Sequence, residues 1–122
     1  MNIHTGFSHA VVLAVSLKLN LPSEDWMQDW PLEVADAERI EEFLLSLEKE
    51  IDHDQQEAIA TLLVASMDDA FSLKRKISQE FLDRIANNIS HRVELLNYWA
   101  RLDAKTSDEI FSITPWIRTL RG

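Results

Sequence analysis

Residues 36–51 read DAERIEEFLLSLEKEI, and this stretch decides the fold class. Its apolar side chains recur at steps of three and four residues, at Ile40, Phe43, Leu44, Leu47 and Ile51. That spacing places them on one face of an α-helix, with the carboxylates of the stretch on the opposite face or its flanks. The pattern therefore predicts an amphipathic helix that begins near Asp36.

Helix boundaries in the rest of the chain have to come from capping residues. Glycine occurs only at positions 6 and 122 and proline only at positions 22, 31 and 115, so the interior has no strong helix breaker. Candidate N-caps recur every 18 residues, at Asp36, Asp54, Ser72 and Ser90. Thr106 follows, and with Glu109 it fits a capping box. This spacing predicts four or five helices of about 14–16 residues, joined by short turns.

Further apolar stripes support the helical interpretation. The two helices after residue 54 would bury Ile59, Leu62, Leu63, Met67 and Ala70, and then Leu73, Ile77, Phe81, Ile85 and Ile89. The apolar residues of 93–102 cover more than one face, so this helix is expected to be central or to share an interface. Two shorter helices are predicted, one capped by Ser23 and ended by Pro31, the other running from Thr114–Pro115 to Leu120.

The fold class that follows is all-α. We expect residues 1–122 to form a compact single-domain bundle of five to seven helices, built from antiparallel helical hairpins, with a short α-solenoid as a related architecture. A chain of 122 residues with 46% apolar residues is long enough to bury a core. The apolar run from Ala10 to Leu17 is too short to span a bilayer and follows no Lys or Arg, so it predicts a buried helix of a cytoplasmic protein.

Charge is distributed unevenly along the chain. Of its 21 acidic residues, 13 fall between Glu24 and Glu57, where only Arg39 and Lys49 oppose them. The formal net charge of the whole chain is −9. Such a field repels nucleic acid and anionic lipid, so neither is expected to bind directly. It favours a cationic protein partner.

One face of the helix in residues 36–51 has the composition of a protein-binding surface. Leu45 falls about 130° from the centre of the apolar stripe on a helical wheel. The carboxylates around it are those of Glu38, Glu41, Glu42, Glu48 and Asp52, and Asp54 continues the negative potential. A small apolar anchor inside a charged rim supplies affinity by burial and selectivity by charge. The alternative is that Leu45 packs under a neighbouring helix and that the acids are a solvated face.

A second candidate anchor lies just before this helix. Trp26 and Trp30 are four residues apart, beside Asp25 and Asp29, and tryptophan next to acids is typical of interfaces. The alternative is that the pair holds a short element against the core.

Several of these charges are expected to be unfavourable for the isolated chain. Glu38 and Glu42 are like charges at i,i+4, and Glu50 with Asp52 places negative charge at a helix C-terminus. This internal cost favours an external partner.

The basic run of Lys74, Arg75 and Lys76 is expected in the first turn of the Ser72 helix, where it pairs with Asp68 and Asp69 or with the acidic helix.

No complete catalytic motif is present, and no cofactor or metal is predicted. The absence of cysteine excludes thiolate chemistry and disulfides. Asp52, Asp54 and Gln56 begin like a calcium loop, but Glu57 and Leu63 stand where Gly and Glu are needed. His53–Asp54 resembles the doublet of HD-type metal-dependent phosphohydrolases. That resemblance implies His9 as an earlier ligand and Asp103 or Asp108 as a later one.

The whole-chain profile resembles the small acidic immunity proteins of bacterial toxin systems, including those of contact-dependent growth inhibition. The shared features are a short, acidic, cysteine-free helical chain with an acidic patch and no signature motif. The resemblance implies a non-enzymatic inhibitor of a basic cognate toxin, and such toxins are often nucleases. We expect a monomer or weak dimer. The alternatives are a helical adaptor or assembly subunit that docks through residues 93–102, with Tyr98 and Trp99 buried in the contact, and the HD-type hydrolase.

Overall fold

The computed structural model describes residues 7–22 and 30–121. These residues form seven α-helices and two 3₁₀ turns, and no β-strand occurs among them. The helices are α1 (His9–Leu19), α2 (Trp30–Glu33), α3 (Ile40–Lys49), α4 (His53–Ser72), α5 (Gln79–Ile89), α6 (Val93–Ala100) and α7 (Thr114–Arg121). The 3₁₀ turns are Ala37–Arg39 and Ser107–Glu109. The all-α prediction is confirmed.

The chain divides into two compact units, Met1–Ser66 and Met67–Gly122, and the division falls inside α4. The first unit contains 3 basic and 13 acidic residues, a net charge of −10. The second contains 9 basic and 8 acidic residues, a net charge of +1. The charge asymmetry seen in the sequence therefore follows the structural division. The prediction of a single domain stays a prediction.

In the first unit, side-chain caps stand at the start of α1 and at the start of the 3₁₀ turn that precedes α3. The Oγ of Ser8 accepts a hydrogen bond from the N–H of Val11 (3.2 Å), and Asp36 accepts one from the N–H of Glu38 (2.9 Å). Asp36 thus caps the 3₁₀ turn that leads into α3, close to the predicted start. The α3 stripe is buried as predicted, except that Ile51 is 93% exposed. It lies beyond the end of α3, where Glu50 is already extended.

The apolar run of residues 10–17 forms most of α1, but the prediction that it is buried is only partly correct. Val15 and Leu19 are buried, whereas Leu17 is 75% exposed. Asn20 ends this helix in the left-handed conformation, with φ of 54°.

The helix predicted to start near Asp54 starts one residue earlier, at His53, but the helix start predicted at Ser72 is wrong, because α4 continues to that residue. Asp52 is the residue that caps α4: its carboxylate accepts from the N–H of Gln55 (2.9 Å) and its carbonyl from the N–H of Gln56 (2.9 Å). The 20-residue helix α4 then continues to Ser72. Its core positions are buried as predicted, namely Ile59, Leu62, Leu63, Met67 and Ala70.

A turn with Lys74 in the left-handed conformation, φ 56°, ends α4. The N–H of Lys74 bonds to the carbonyl of Phe71 (3.0 Å) and that of Arg75 to the carbonyl of Ala70 (2.9 Å), the pattern of a Schellman motif. The basic run therefore follows a helix C-terminus, where the macrodipole favours cations, and does not lie in a first turn as predicted. Leu73, predicted to be buried, is 62% exposed.

In the second unit, Ser78 and not Ser72 caps α5: its Oγ accepts from the N–H of Phe81 (3.2 Å). Ser90 ends α5 and does not begin α6, so its predicted role as an N-cap is wrong. The Thr106–Glu109 capping box does not form. Thr106 makes no side-chain cap, and the carboxylate of Glu109 accepts from the N–H of Lys105 (2.8 Å).

Helices α6 and α7 pack together around an aromatic cluster. The rings of Trp99 and Phe111 are 4.7 Å apart between centroids, and Tyr98 stacks on Phe111 at 5.9 Å. The hydroxyl of buried Thr114 donates to the carbonyl of Trp99 (2.8 Å) and accepts from the N–H of Phe111 (2.9 Å). The short C-terminal helix starting at Thr114–Pro115 was predicted correctly.

Candidate protein-binding surface

The predicted acidic surface comprises Leu45 and the carboxylates of Glu38, Glu41, Glu42, Glu48, Asp52 and Asp54. Leu45 is 40% exposed, so it is not sealed in the core. Its neighbours on α3 at i−4 and i+3 are Glu41 and Glu48, and both are exposed. The sequence therefore located correctly an apolar side chain between exposed acids.

Glu42 is engaged within the chain. Two guanidinium nitrogens of Arg39 donate to its carboxylate, at 2.9 Å to Oε1 and 2.6 Å to Oε2. This bidentate hydrogen bond holds the pKa of Glu42 below its ordinary value. Arg39 also donates to the carbonyl of Leu19 at the end of α1 and lies 5.1 Å from the centroid of the Phe43 ring. The charge of Glu42 is thus locally compensated, which offsets the repulsion expected between it and Glu38.

Glu50 is engaged even more fully. Its carboxylate accepts from the Nζ of Lys18 (2.6 Å) and from the N–H groups of Ile51 and Asp52 (3.1 Å each). The hydrogen bond from Lys18 is the main cause that lowers the pKa of Glu50. Glu50 does lie at the C-terminus of α3, as predicted, but both Glu50 and Asp52 make stabilising contacts that offset the expected cost. Glu50 closes the turn between α3 and α4, and Asp52 caps α4.

The remaining predicted residues of the acidic surface differ in position. Glu38 lies in the 3₁₀ turn before α3, and Asp54 lies in the first turn of α4, where negative charge stabilises the helix N-terminus. Both are exposed. Trp26, Asp25 and Asp29 lie outside the described residues.

Sequence reasoning missed one member of this surface. Lys49 is exposed and stands four residues after Leu45, so it borders the anchor on its C-terminal side. The i,i+4 spacing was the signal that could have found it. The rim around Leu45 is therefore mixed, with carboxylates at Glu41 and Glu48 and one cation at Lys49.

Trp99 of α6, which was predicted to be buried in a contact with a second molecule, is already covered within its own unit. Trp99 is 1% exposed and belongs to the aromatic cluster of its own unit. The side chains that α6 does expose lie elsewhere on it, as at Val93, which is 62% exposed. The prediction that Tyr98 and Trp99 are buried by a second molecule is wrong for Trp99, because its own chain already buries it.

No metal centre is assembled in the part of the chain that the structure describes. Nowhere in residues 7–22 and 30–121 do three or more His, Asp or Glu side chains lie close enough to hold a metal ion. The HD-type pattern of His9, His53, Asp54 and Asp103 or Asp108 is therefore not gathered into a ligand set there. Asp52, the first residue of the calcium-loop pattern, is used as a helix cap.

The comparisons with known proteins do not assign the chain to a class. Protein-family models, curated protein sequences and solved structures all give no match. Among the helices of residues 7–22 and 30–121, none is both long and apolar enough to cross a membrane.

Proposed function

We propose that this protein is a non-enzymatic inhibitor of a basic protein, of the toxin-immunity type, and that it acts in the cytoplasm through the acidic surface. The observation that carries the proposal is the partly exposed Leu45 between exposed Glu41 and Glu48, in a unit of net charge −10. A partner that covers Leu45 removes apolar area from water, which supplies affinity at the centre of the contact.

Electrostatics supplies the rate and the selectivity of the proposed contact. A nuclease must hold a polyanion, so its cleft is cationic, and an acidic helix is attracted to that cleft or its rim. Attraction over a distance raises the association rate, which an antidote requires if it is to act before damage occurs. A basic toxin of the nuclease class is therefore the partner whose charge best complements the negative potential of the first unit.

Two of the carboxylates have a clear role in the fold, and two others are adjacent to Leu45. Glu42 and Glu50 are held by Arg39 and Lys18, so their main role is to stabilise the fold. Glu41 and Glu48 border Leu45 directly and are the carboxylates proposed to meet the partner's cations. Lys49 requires a polar or acidic group opposite it, because a uniformly cationic partner surface would be repelled there.

The proposal is tested by affinity capture followed by kinetics with the purified partner. Immobilised wild-type chain is exposed to a lysate of the cells that encode it, beside Leu45→Asp and the double variant Glu41→Lys/Glu48→Lys. A matched control, Glu80→Lys/Glu94→Lys, makes the same change in net charge at exposed positions of the second unit. The captured protein is then purified and its activity is measured with and without one equivalent of the chain.

The expected result is a basic protein that binds wild type and the control but is lost with both surface variants, and whose activity is abolished at equimolar ratio. Its association rate should fall at least about tenfold for the Glu41→Lys/Glu48→Lys variant and should fall with added salt. Binding that is equal for all four proteins, or a bound partner that keeps its full activity, would contradict the proposal.

A further inference from the structure

Ile51 is the most exposed large apolar side chain among residues 7–22 and 30–121, at 93%. The stripe of α3 would place it in the core, because it follows Leu47 by four residues. Helix α3 ends before that position, at Lys49, and Glu50 turns the chain into an extended conformation, with φ of −74° and ψ of 133°. The end of the helix therefore moves an isoleucine from the predicted core to the solvent.

Polar contacts hold the turn that carries Ile51, which we name the 50–52 turn. One oxygen of the Glu50 carboxylate accepts from the N–H groups of Ile51 and Asp52 (3.1 Å each), and the other lies 2.6 Å from the Nζ of Lys18. The carbonyl of Glu50 accepts from Nε2 of Gln56 (2.7 Å). An apolar side chain on a fixed backbone loses little conformational freedom when a partner covers it, so its burial contributes more fully to affinity.

The charges next to Ile51 select a cationic partner. Asp52 and Asp54 follow it and Glu48 precedes it by three residues, and all three carboxylates are exposed. Lys49 is also exposed, but from residue 50 to residue 73 the sequence has no Lys or Arg. A second copy of the chain and an anionic lipid surface are both repelled here, whereas a protein surface with cations around an apolar hollow complements the isoleucine and its acids.

Ile51 also extends the acidic surface already described. A single exposed apolar side chain is ordinary on a protein surface. Ile51 differs because it lies in the sequence between Glu48 and Asp52, two members of that surface, and six residues after Leu45. The acidic surface thus has two apolar side chains, of which Leu45 is 40% exposed on α3 and Ile51 is 93% exposed on the 50–52 turn.

We propose that Ile51 is the principal apolar anchor of the acidic surface, and that the fixed 50–52 turn inserts it into an apolar hollow, ringed by cations, on the basic partner. This inference rests on the proposed function and adds to it the shape of the partner, which must be concave where it meets the turn. Burial of Ile51 acts after the two proteins have met, so it slows dissociation, whereas the carboxylates chiefly raise the association rate.

Binding kinetics with the basic partner purified after affinity capture test this assignment. Ile51→Ala should raise the dissociation rate constant at least about tenfold and leave the association rate constant within about twofold of wild type. Leu73→Ala shortens a leucine of the second unit that is 62% exposed, and it should change neither rate constant. Both substitutions are at exposed positions, and thermal unfolding checks that the variants stay folded.

Lys18→Met tests whether the turn must be fixed. It makes the chain more negative by one charge, which by itself strengthens attraction to a basic partner. Because the Glu50 carboxylate loses the cation that holds it, we expect the affinity to fall instead, at least about threefold. Lys105→Met makes the same change in charge at an exposed lysine of the second unit, and it should bind at least as tightly as wild type.

The possible outcomes separate this inference from the proposed function. A partner that is lost with Leu45→Asp but dissociates from Ile51→Ala as slowly as from wild type overturns the role of Ile51 and leaves the proposed function standing. An affinity of Lys18→Met that matches or exceeds that of Lys105→Met overturns the role of the fixed turn. A chain that captures no basic protein through the acidic surface overturns both the inference and the proposed function.

Discussion

The ammonium group of Lys18, near the end of α1, lies 2.6 Å from Oε1 of Glu50 in the turn between α3 and α4. The two residues are 32 positions apart in the sequence. The Glu50 side chain is only 8% exposed, whereas that of Lys18 is 48% exposed. Glu50 is thus a nearly buried carboxylate whose charge is balanced by a cation from another helix, and that balance ties α1 to the α3–α4 turn.

Lys18→Met should lower the free energy of unfolding by about 1 kcal/mol at pH 7, because it leaves the Glu50 carboxylate without its cation. The value is small for a buried partner because Lys18 itself is half exposed and solvent screens the pair. Lys49→Met is the matched control, since it removes an exposed lysine of the same unit. Urea denaturation at pH 7 measures both, and an equal loss in the two variants would contradict the role assigned to Lys18.

The same pair predicts a dependence on pH. The pKa of Glu50 is lowered in the folded chain from its ordinary value of 4.5, chiefly by the hydrogen bond from Lys18. The stability contributed by this group is therefore present above the ordinary pKa and is lost as the pH falls through the lower, folded pKa. The difference between wild type and Lys18→Met should shrink in acid. A difference that stays constant from pH 7 down to the acid transition would show that Lys18 acts through packing alone.

Two buried serines of the first unit should respond oppositely to replacement by alanine. The hydroxyl of Ser16 in α1 is buried and has no hydrogen-bond partner, whereas that of Ser66 donates to the carbonyl of Leu62 (2.8 Å) and accepts from the N–H of Asp36 (3.0 Å). Ser16→Ala removes an unsatisfied polar group and gains helix propensity, so it should raise the free energy of unfolding by about 0.5–1 kcal/mol. Ser66→Ala should lower the free energy of unfolding by about 1–3 kcal/mol, because the N–H of Asp36 loses its acceptor.

Chemical denaturation of these two variants against wild type gives the comparison directly. The sign of each change in the free energy of unfolding is the test, more than its size, since both variants lose one hydroxyl at a buried position. Two losses of similar size would mean that Ser16 is satisfied in solution by a group such as a buried water.

Asp68 acts as a distant cap for α7, and its replacement should separate hydrogen bonding from charge. Its carboxylate accepts from the N–H of Ile113 (2.9 Å), 45 residues away. Asp68→Asn keeps an oxygen acceptor there, whereas Asp68→Ala leaves the N–H unpaired, so the alanine variant should be less stable by about 1–3 kcal/mol. Thermal unfolding measures the difference, with Asp103→Ala as the control for removal of an exposed acid. Equal stability of the Asn and Ala variants would show that the hydrogen bond from Ile113 to residue 68 does not stabilise the chain.

Asp68 should also have a pH dependence opposite to that of Glu50. Burial raises the pKa of Asp68 above its ordinary value of 3.8, although the N–H groups of Ile113 and Ser112 partly oppose the shift. A raised pKa means that the folded chain holds this proton more tightly than the unfolded chain does. Its contribution is therefore fully present below the ordinary pKa and is lost as the pH rises through the higher, folded pKa. Asp68→Asn should flatten this part of the profile, and an unchanged profile would contradict the assignment.

The sequence predicted the apolar faces of α3 and α4 correctly because their period is a local property. Phe43, Leu44, Leu62 and Leu63 are fully buried as the spacing required. The helix boundaries were harder to predict, because a serine or aspartate acts as an N-cap only where its own backbone is not helical and a helix begins after it. Ser72 has a suitable side chain, but it lies inside the continuous periodic pattern of α4 and ends that helix.

The pairing of acids with cations could not be predicted from the sequence. Lys18 lies far from Glu50 along the chain, and nothing local indicates that one neutralises the other. The acids of residues 36–52 therefore looked more unfavourable than they are. Leu45 and its exposure were predictable from the helical wheel, because that face is determined by α3 alone.

Glu41 and Glu42 offer a final test of which carboxylates stabilise the fold. Both are exposed and both lie in the first turn of α3, so the macrodipole acts similarly on each. Only Glu42 receives the bidentate hydrogen bond from Arg39. Glu42→Gln should therefore lower the free energy of unfolding by about 0.5 kcal/mol more than Glu41→Gln at pH 7, a modest value because the pair is solvent-exposed.

The pH dependence of this difference identifies its cause. The pKa of Glu42 is lowered in the folded chain by the hydrogen bond from Arg39, so its contribution is present above the ordinary pKa of 4.5 and is lost as the pH falls through the folded pKa. The two variants should converge in acid and in high salt. If Glu41→Gln proves the more destabilising change at pH 7, then Glu41 is a structural carboxylate, and the proposed division between fold-stabilising and partner-facing acids is wrong.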